Sequence, residues 1–386
     1  LSFAVRVHVI DPSAYTPPYD HALCRGLGLA GADVRLYTSH FVYDSLPPPE
    51  AYQRLEFFYR GSRAAPGRSK IAGRARRIIK ISEHVPDMLR YRRAARDADI
   101  VHFQWLAVPQ LDEHLLPSGR TAGDARQPLV LSAHDVLPRE PTPGQRSAQR
   151  RLYDRFDAVI VHSEHGRQRL VRELDVDAKR VHVIPHGAFA HLAEGLRVGQ
   201  PAPPPFETSK RVVLFFGLLR PYKGLDVLLD AWGGIEDAEL WIVGMPRMDI
   251  SALRARAPAS VRFVPRFVPD SELPGYFRRA DLVVLPYREI EQSGVLFTAL
   301  AFAKPLLLSD VGGFGELAAA GAARAVPPGD AVALHDALVQ LLGDPAALAS
   351  LAERAGVAAK GEYAWEPIAR RTLALYESLL RENPRR

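Results

Sequence analysis

The sequence predicts an α/β protein built from two doubly wound, parallel-sheet domains, and three observations carry that prediction. At 386 residues the chain is too long for one ordinary core and suits two of ordinary size. Short β-rich runs alternate with helical stretches, the pattern of a parallel sheet covered on both faces, and the alternation is run through twice. Between the two runs lies Pro201-Ala202-Pro203-Pro204-Pro205, a stiff segment that fits neither a sheet nor a helix interior.

The first run places strands at 5–11, 33–38, 54–59, 100–104, 129–133, 158–162 and 181–184, with helices such as 19–30 and 164–174 between them. The second places strands at 212–216, 239–243, 262–264, 282–285, 305–309 and 324–326, closed by helices at 331–342 and 345–359. A last helix, 365–381, follows the break at Lys360-Gly361 and carries an apolar stripe through Ile368, Leu373, Leu375, Tyr376 and Leu379. The expected domains are 1–198 and 211–364, joined by a linker at 199–210. Two such sheets side by side leave a cleft at the carboxyl ends of their strands, where ligands bind in doubly wound folds.

Apolar residues make up 47% and charged residues 24%, a globular rather than disordered composition. No apolar run approaches the ~20 residues that span a bilayer. The opening run from Phe3 to Ile10 is interrupted by Arg6 and His8 and reads as a strand, not a signal peptide. Cys24 is the single cysteine, which excludes an internal disulfide and a multi-cysteine zinc site and suits a reducing cytoplasm. No period of ~20–50 residues repeats, which argues against solenoids and propellers. Net charge is +6, and between Arg60 and Arg96 stand twelve Arg or Lys against Glu83 and Asp87. Ile71, Ile78, Ile79, Ile81 and Val85 recur at near-helical spacing there. Such a stretch can lie on an anionic membrane, on the inner face of the cell, or be an ordinary solvated helix face. No nucleic acid partner is expected.

The chemistry concentrates in two segments. In Leu214–Leu229 a strand ends at Gly217, a loop holds Arg220 and Lys223, and a helix starts near Gly224. Gly217 lets a ligand approach the backbone, and two cations three residues apart can neutralise a diphosphate beside a helix N-terminus. The Gly-Lys-Ser/Thr order of a Walker loop is absent, and the bland alternative is an exposed basic loop. In Leu285–Pro305 the same strand-loop-helix plan puts Ser293 and Gly294 where helix amides face a phosphate. Glu289 and Glu291 lie just ahead, placed to accept hydrogen bonds from sugar hydroxyls or simply to line the surface.

Together these segments resemble the donor site of family 4 glycosyltransferases of the GT-B fold, retaining enzymes that use nucleotide sugars. Also matching are Val311-Gly312-Gly313 with Glu316, the strand Asp99–Gln104, Ala133-His134-Asp135 and Val183–Gly187. The resemblance implies two Rossmann-like domains facing across a cleft, with 365–386 packing back on the first. It implies that Arg220 and Lys223 hold the donor diphosphate and that His134 contacts sugar or acceptor near the reacting carbon. Ser293, Gly294, Val295 and Leu296 would contact sugar and phosphate through backbone, and Phe267 and Val268 would meet the base. The implied catalytic set is His134, Arg220, Lys223 and Glu291, with a nucleotide-diphosphate sugar as donor, a hydroxyl acceptor, and no required metal or other cofactor.

This sequence departs from the family pattern at several points. Of the two glutamates usual eight positions apart, the second falls on Thr298 and the first on Ile290. Thr298 could give ribose a neutral hydrogen bond worth ~1 kcal/mol where a carboxylate gives ~2. Glu291, with Glu289 behind it, is the better sugar ligand. The arginine that usually follows the glycine is displaced to Arg220, behind Leu218. The glycine-rich turn after the first strand is replaced by Tyr15-Thr16-Pro17-Pro18-Tyr19, whose Tyr15, Pro18 and Tyr19 form a rigid rim toward the acceptor. Asp97-Ala98-Asp99 and Asp175-Val176-Asp177 imitate a metal motif but precede strands rather than trail them. Rival readings are a catalytically silent GT-B subunit, suggested by Ile290 and Thr298, and a GT-B epimerase of nucleotide sugars.

Overall fold

The computed structural model describes residues 4–63, 70–117, 127–136, 145–193 and 206–382. The chain divides into two units, Leu1–Pro185 with Trp365–Arg386, and His186–Ala364.

The first unit holds a seven-stranded parallel sheet in the order β3-β2-β1-β4-β5-β6-β7. The strands are β1 (Arg6–Asp11), β2 (Asp33–Ser39), β3 (Gln53–Phe58), β4 (Ile100–Phe103), β5 (Leu129–Ser132), β6 (Ala158–Val161) and β7 (Val181–Val183). Every residue of β4, β5 and β6 is buried, as expected of central parallel strands covered on both faces. The covering helices are α1 (Pro17–Leu29), α2 (Arg60–Arg63), α3 (Lys70–Ala94), α4 (Pro109–Leu115), α5 (Gln145–Tyr153) and α6 (Glu164–Leu174). Helix α1 starts on a proline pair, whose fixed φ and missing N–H suit a first turn. Helix α6 is capped by Ser163, whose Oγ accepts from Gly166 N at 3.1 Å, and it closes on Asp175 at φ 54°.

The second unit holds a six-stranded parallel sheet in the order β10-β9-β8-β11-β12-β13. After α7 (Ala190–Ala193) it runs β8 (Arg211–Phe216), α8 (Leu225–Ala231), β9 (Ala238–Val243), α9 (Ser251–Arg256), β10 (Val261–Val264) and α10 (Leu273–Arg279). It continues through β11 (Leu282–Leu285), α11 (Gly294–Ala301), β12 (Leu306–Ser309), α12 (Phe314–Ala319), β13 (Arg324–Val326), α13 (Ala331–Gly343) and α14 (Pro345–Lys360). Asp330 and Asp344 cap α13 and α14 through paired backbone N–H bonds. The last helix, α15 (Trp365–Glu382), belongs to the first unit, where the Tyr376 hydroxyl sits 2.6 Å from His102 Nδ1.

Strand order reverses between β1 and β4 in the first sheet and between β8 and β11 in the second. Such switch points open a crevice at the carboxyl ends of the two strands concerned.

The boundary between units falls at Pro185, ahead of the proline-rich segment expected as the linker. Pro201–Pro205 lie outside the described residues. Packing sets the earlier boundary: His186 stacks on Phe297 at 4.1 Å and 9°, and Ala188 N donates to Tyr363 O at 2.7 Å. The basic stretch forms α2 and α3, although the side chains of 62–78 lie outside the described residues. Of the rest, Ile79, Ile81 and Leu89 are exposed while Met88 and Tyr91 are buried in the core. Among the described residues no helix is long and apolar enough to cross a membrane.

Candidate active site

In the second unit the switch point gathers the loops after β8 and β11. Gly217 ends β8 at φ +110°, a left-handed conformation that a side chain resists. A Cβ there would lie 2.9 Å from Lys223 Nζ and 3.0 Å from Val295 Cγ2. Gly217, Lys223 and Val295, from two separate segments, therefore meet at one point. Gly224, at φ +66°, lets the two loops touch, because a Cβ would lie 2.0 Å from Pro286 O.

Lys223 is 7% exposed, and its ammonium lies 4.9 Å from the centroid of the Tyr287 ring, a cation–π contact. Arg220 is exposed, and its guanidinium makes no hydrogen bond or ion pair among the described residues. The two loops are stitched by Arg288, which sequence reasoning passed over. Its guanidinium grips Asp226 at 2.8 and 2.6 Å and donates to Pro221 O at 3.1 Å, while its N–H donates to Tyr222 O at 2.8 Å. The Arg288 contact holds the Asp226 carboxyl below the usual carboxylate range. No local pattern marks this pair, since its members stand in different loops.

At the start of α11, Ser293 is buried and its hydroxyl lies 3.5 Å from the Tyr287 hydroxyl. Its carbonyl accepts from Leu296 N at 3.0 Å and Phe297 N at 3.4 Å. The N–H groups of Gly294 and Val295 have no acceptor among the described residues, as the first turn of a helix dictates. Leu296, expected to offer its amide to a ligand, does not: that amide is bonded to Ser293 and the side chain is buried. Thr298 likewise departs from expectation as a ribose ligand. It is buried and donates its hydroxyl to Gly294 O at 2.9 Å, so its proton is held within α11.

Glu291 is buried and Glu289 exposed, on either side of the buried Ile290. The Glu291 carbonyl accepts from Gly313 N at 3.3 Å, tying this loop to the turn after β12. Val268 is buried and Phe267 half-buried, and the Phe267 carbonyl is taken by Arg266 Nη1 at 3.0 Å.

In the first unit a polar network runs beneath the carboxyl edge of the sheet. His162 Nδ1 lies 3.0 Å from Ile184 O, a carbonyl that can only accept, so Nδ1 carries the proton. Its Nε2 lies 3.3 Å from His134 Nδ1. His134 Nε2 faces the Gln104 side-chain amide at 3.1 Å, and the same amide reaches His102 Nε2 at 3.2 Å. The Gln104 amide N–H donates to His102 Nε2, so in the neutral His102 ring Nδ1 carries the proton and donates to the Tyr376 hydroxyl. Burial pushes His102 down to about 3 and His162 down to about 4, so both are neutral at pH 7.

The ring nitrogens of His134 face Gln104 and His162 inside the unit, and the half-buried ring stacks on Trp105 at 4.9 Å and 12°. Tyr19 is corrected: it is 3% exposed and packs edge-on against His134 and Trp365 rather than forming a rim. Pro18 is half-buried, and only Tyr15 stands out, at 61% exposure. Ahead of β4, Asp97 pairs with Arg35 at 2.7 Å and Asp99 with Arg6 at 2.9 Å. Asp175 and Asp177 serve a helix end and a turn start.

Residues 210–344 match the family model described as glycosyl transferases group 1, and residues 18–187 match the one described as glycosyl transferase 4-like domain. Phosphatidyl-myo-inositol mannosyltransferase from Mycobacterium leprae is 36% identical over 182 residues, 44% of this chain and 47% of that relative. D-inositol 3-phosphate glycosyltransferase from Mycolicibacterium vanbaalenii is 28% identical over 313 residues, 72% of this chain and 66% of that relative. The chain thus spans about half to two-thirds of the length of these curated relatives. Among solved structures, sucrose-phosphate synthase from Thermosynechococcus elongatus matches at a TM-score of 0.71 and 19% identity, covering 98% of this chain and 100% of that one. Anabaena HepE in complex with UDP-glucose matches at 0.71 and 17% identity, over 97% and 99% of the two chains.

Two parallel sheets, each with its switch point, and these matches along most of the chain define a protein of the GT-B fold. The chain belongs to the family 4 glycosyltransferases.

Proposed function

We propose that this chain transfers a glycosyl group, with retention, from a nucleoside diphosphate sugar to a hydroxyl acceptor. The observation that carries the reading is the convergence of Gly217, Lys223 and the open amides of Gly294 and Val295 at one switch point. Breaking the sugar–phosphate bond builds negative charge on the departing diphosphate. The Lys223 ammonium, the Arg220 guanidinium and the two amides stabilise that charge, with no reorganisation needed as it develops. The acceptor oxygen bonds to the anomeric carbon as the phosphate leaves from the same face, and its proton passes to the departing phosphate oxygen. Glu291 orients the sugar through its hydroxyls. The relatives support the donor class: a curated relative from Xanthomonas campestris is named GDP-mannose:glycolipid 4-beta-D-mannosyltransferase, and HepE was solved with UDP-glucose.

The test is a panel of UDP-glucose, GDP-mannose and related donors, read by release of free nucleoside diphosphate and by the anomeric configuration of the product. Arg220→Ala is expected to lower turnover about a hundredfold, the scale of losing one charge-stabilising group. Its melting temperature should stay near wild type, because the exposed side chain has no partner among the described residues to lose. Wild-type turnover in Arg220→Ala refutes the assignment. An inverted product refutes retention.

A further inference from the structure

Past the ends of β8 and β9 the two chains keep pairing for a few residues more. Leu219 and Pro246 form an isolated parallel bridge, in which Leu219 N donates to Met245 O at 3.1 Å and Arg247 N donates to Leu219 O at 2.9 Å. The residues that follow the bridged pair are Arg220 and Arg247. Arg220 is still extended, at φ −131° and ψ 154°, so the parallel register carries on to it. Neighbouring positions on paired chains send their side chains from one face, starting about 5 Å apart. Two guanidiniums therefore leave this edge side by side.

Both arginines are exposed, and neither guanidinium has a hydrogen bond or ion pair among the described residues. Other arginines of the same unit are neutralised: Arg288 by Asp226, Arg256 by Asp230 and Arg266 by Glu272. The carboxylate closest in sequence to Arg247, Asp249, is turned to Ser251 N at 2.9 Å. Like charges at adjacent positions repel, so the arrangement costs stability unless an anion joins it. It stands in the loop that also carries Lys223 to Gly217, at the carboxyl end of the sheet. Two planar forks side by side suit an oxyanion that carries more than one charge.

We propose that Arg247 acts with Arg220 as a second guanidinium on the sugar-bearing phosphate, gripping it most strongly as the sugar departs. This rests on the transfer proposed above. In the donor each phosphate is esterified on both sides and carries a single charge. As the bond from the anomeric carbon to the phosphate oxygen breaks, its electron pair stays on that oxygen. The acceptor oxygen takes the carbon and passes its proton to the departing oxygen, which then exchanges it with solvent. The terminal phosphate thereby becomes a monoester of about −1.5 to −2 charge at pH 7. Paired guanidiniums match that group better than the singly charged diester, so the contact favours the leaving group over the bound donor.

Calorimetric titration of the full chain compares free UDP and GDP with UDP-glucose and GDP-mannose. Arg247→Ala should weaken the better-bound free diphosphate about tenfold and its sugar ester less than threefold. Arg247→Lys should recover part of the loss, since an ammonium keeps the charge without the fork. In donor cleavage, Arg247→Ala should lower kcat about tenfold with KM changed less than threefold. Arg254→Ala controls for net charge: it removes another exposed guanidinium of this unit, one that lies over the Phe263 ring, and should leave both affinities unchanged. The Arg247 side chain has no partner among the described residues to lose, so thermal unfolding of Arg247→Ala should match wild type. Unchanged affinity for the free diphosphate in Arg247→Ala, or an equal loss for the diphosphate and its sugar ester, overturns the assignment. So does an equal loss in Arg254→Ala, which would make the effect one of bulk charge. A chain that binds neither UDP nor GDP loses the donor reading and this contact with it, whereas diphosphate binding that Arg247→Ala leaves intact removes Arg247 alone.

Discussion

Lys223→Met should lower kcat with a nucleotide sugar by about a thousandfold, the largest effect expected of any single change in the second unit. The ammonium is nearly enclosed, beside Gly217 and 4.9 Å from the centroid of the Tyr287 ring, and enclosure strengthens a charge interaction relative to water. Methionine keeps the length and the apolar stem of lysine, so packing on Tyr287 is largely preserved and the loss is one of charge. The affinity for substrate should fall less than kcat, because the charge on the diphosphate grows as the bond breaks. Steady-state kinetics of the variant, beside its thermal unfolding, separates the two effects. A kcat within threefold of wild type would remove Lys223 from the mechanism.

The second large effect is on stability, and it depends on pH. Burial holds His8 and His21 at about 4, His162 at about 4 and His102 at about 3, against about 6.5 for an unfolded histidine. Between pH 6.5 and 4 the unfolded chain therefore binds protons that the folded chain refuses. The stability these neutral histidines support is fully present above pH 6.5 and is lost as pH falls toward 4. Opposing them, the Asp11–Asp20 pair is buried and raised, Asp20 well above its usual value, so the folded state keeps a proton there that the unfolded chain releases. Histidine uptake exceeds that single retained proton. The two fully buried rings, His102 and His162, each contribute about 1.4 kcal/mol per pH unit at full effect. Denaturant unfolding at pH 7, 6 and 5 should show stability dropping by roughly 2 kcal/mol or more across that range, with net proton uptake on unfolding. A stability independent of pH from 7 to 5 contradicts this balance.

Most strands were legible within a residue or two, because central parallel strands are continuous apolar runs bounded by turns, as Leu282–Leu285 illustrates. The strand-loop-helix junctions bearing Gly217, Lys223, Ser293 and Gly294 were legible because each follows an apolar strand and precedes a helical run. What escaped depends on partners distant in the chain. The hydroxyl of Thr298 is engaged by its own helix, and Leu296 lends its amide to Ser293. The ring of His134 has its partners, Gln104 and His162, at the ends of other strands. Tyr15 and Tyr19 share one short motif, but the first is exposed and the second buried against Trp365, a residue brought by α15 from the far end of the sequence. Trp105 carries no local signal, and its meaning comes only from Thr16, His134 and Tyr15 around it. The early boundary at Pro185 reflects stacking of His186 on Phe297, which no composition change announces.

The most direct measurement of the central claim is amide exchange at Gly294 and Val295, read residue by residue by NMR with and without saturating UDP or GDP. These two N–H groups lack an acceptor among the described residues, so a bound diphosphate that uses them should slow their exchange at least tenfold. Unchanged exchange at both amides in the saturated protein would mean that the phosphates sit elsewhere.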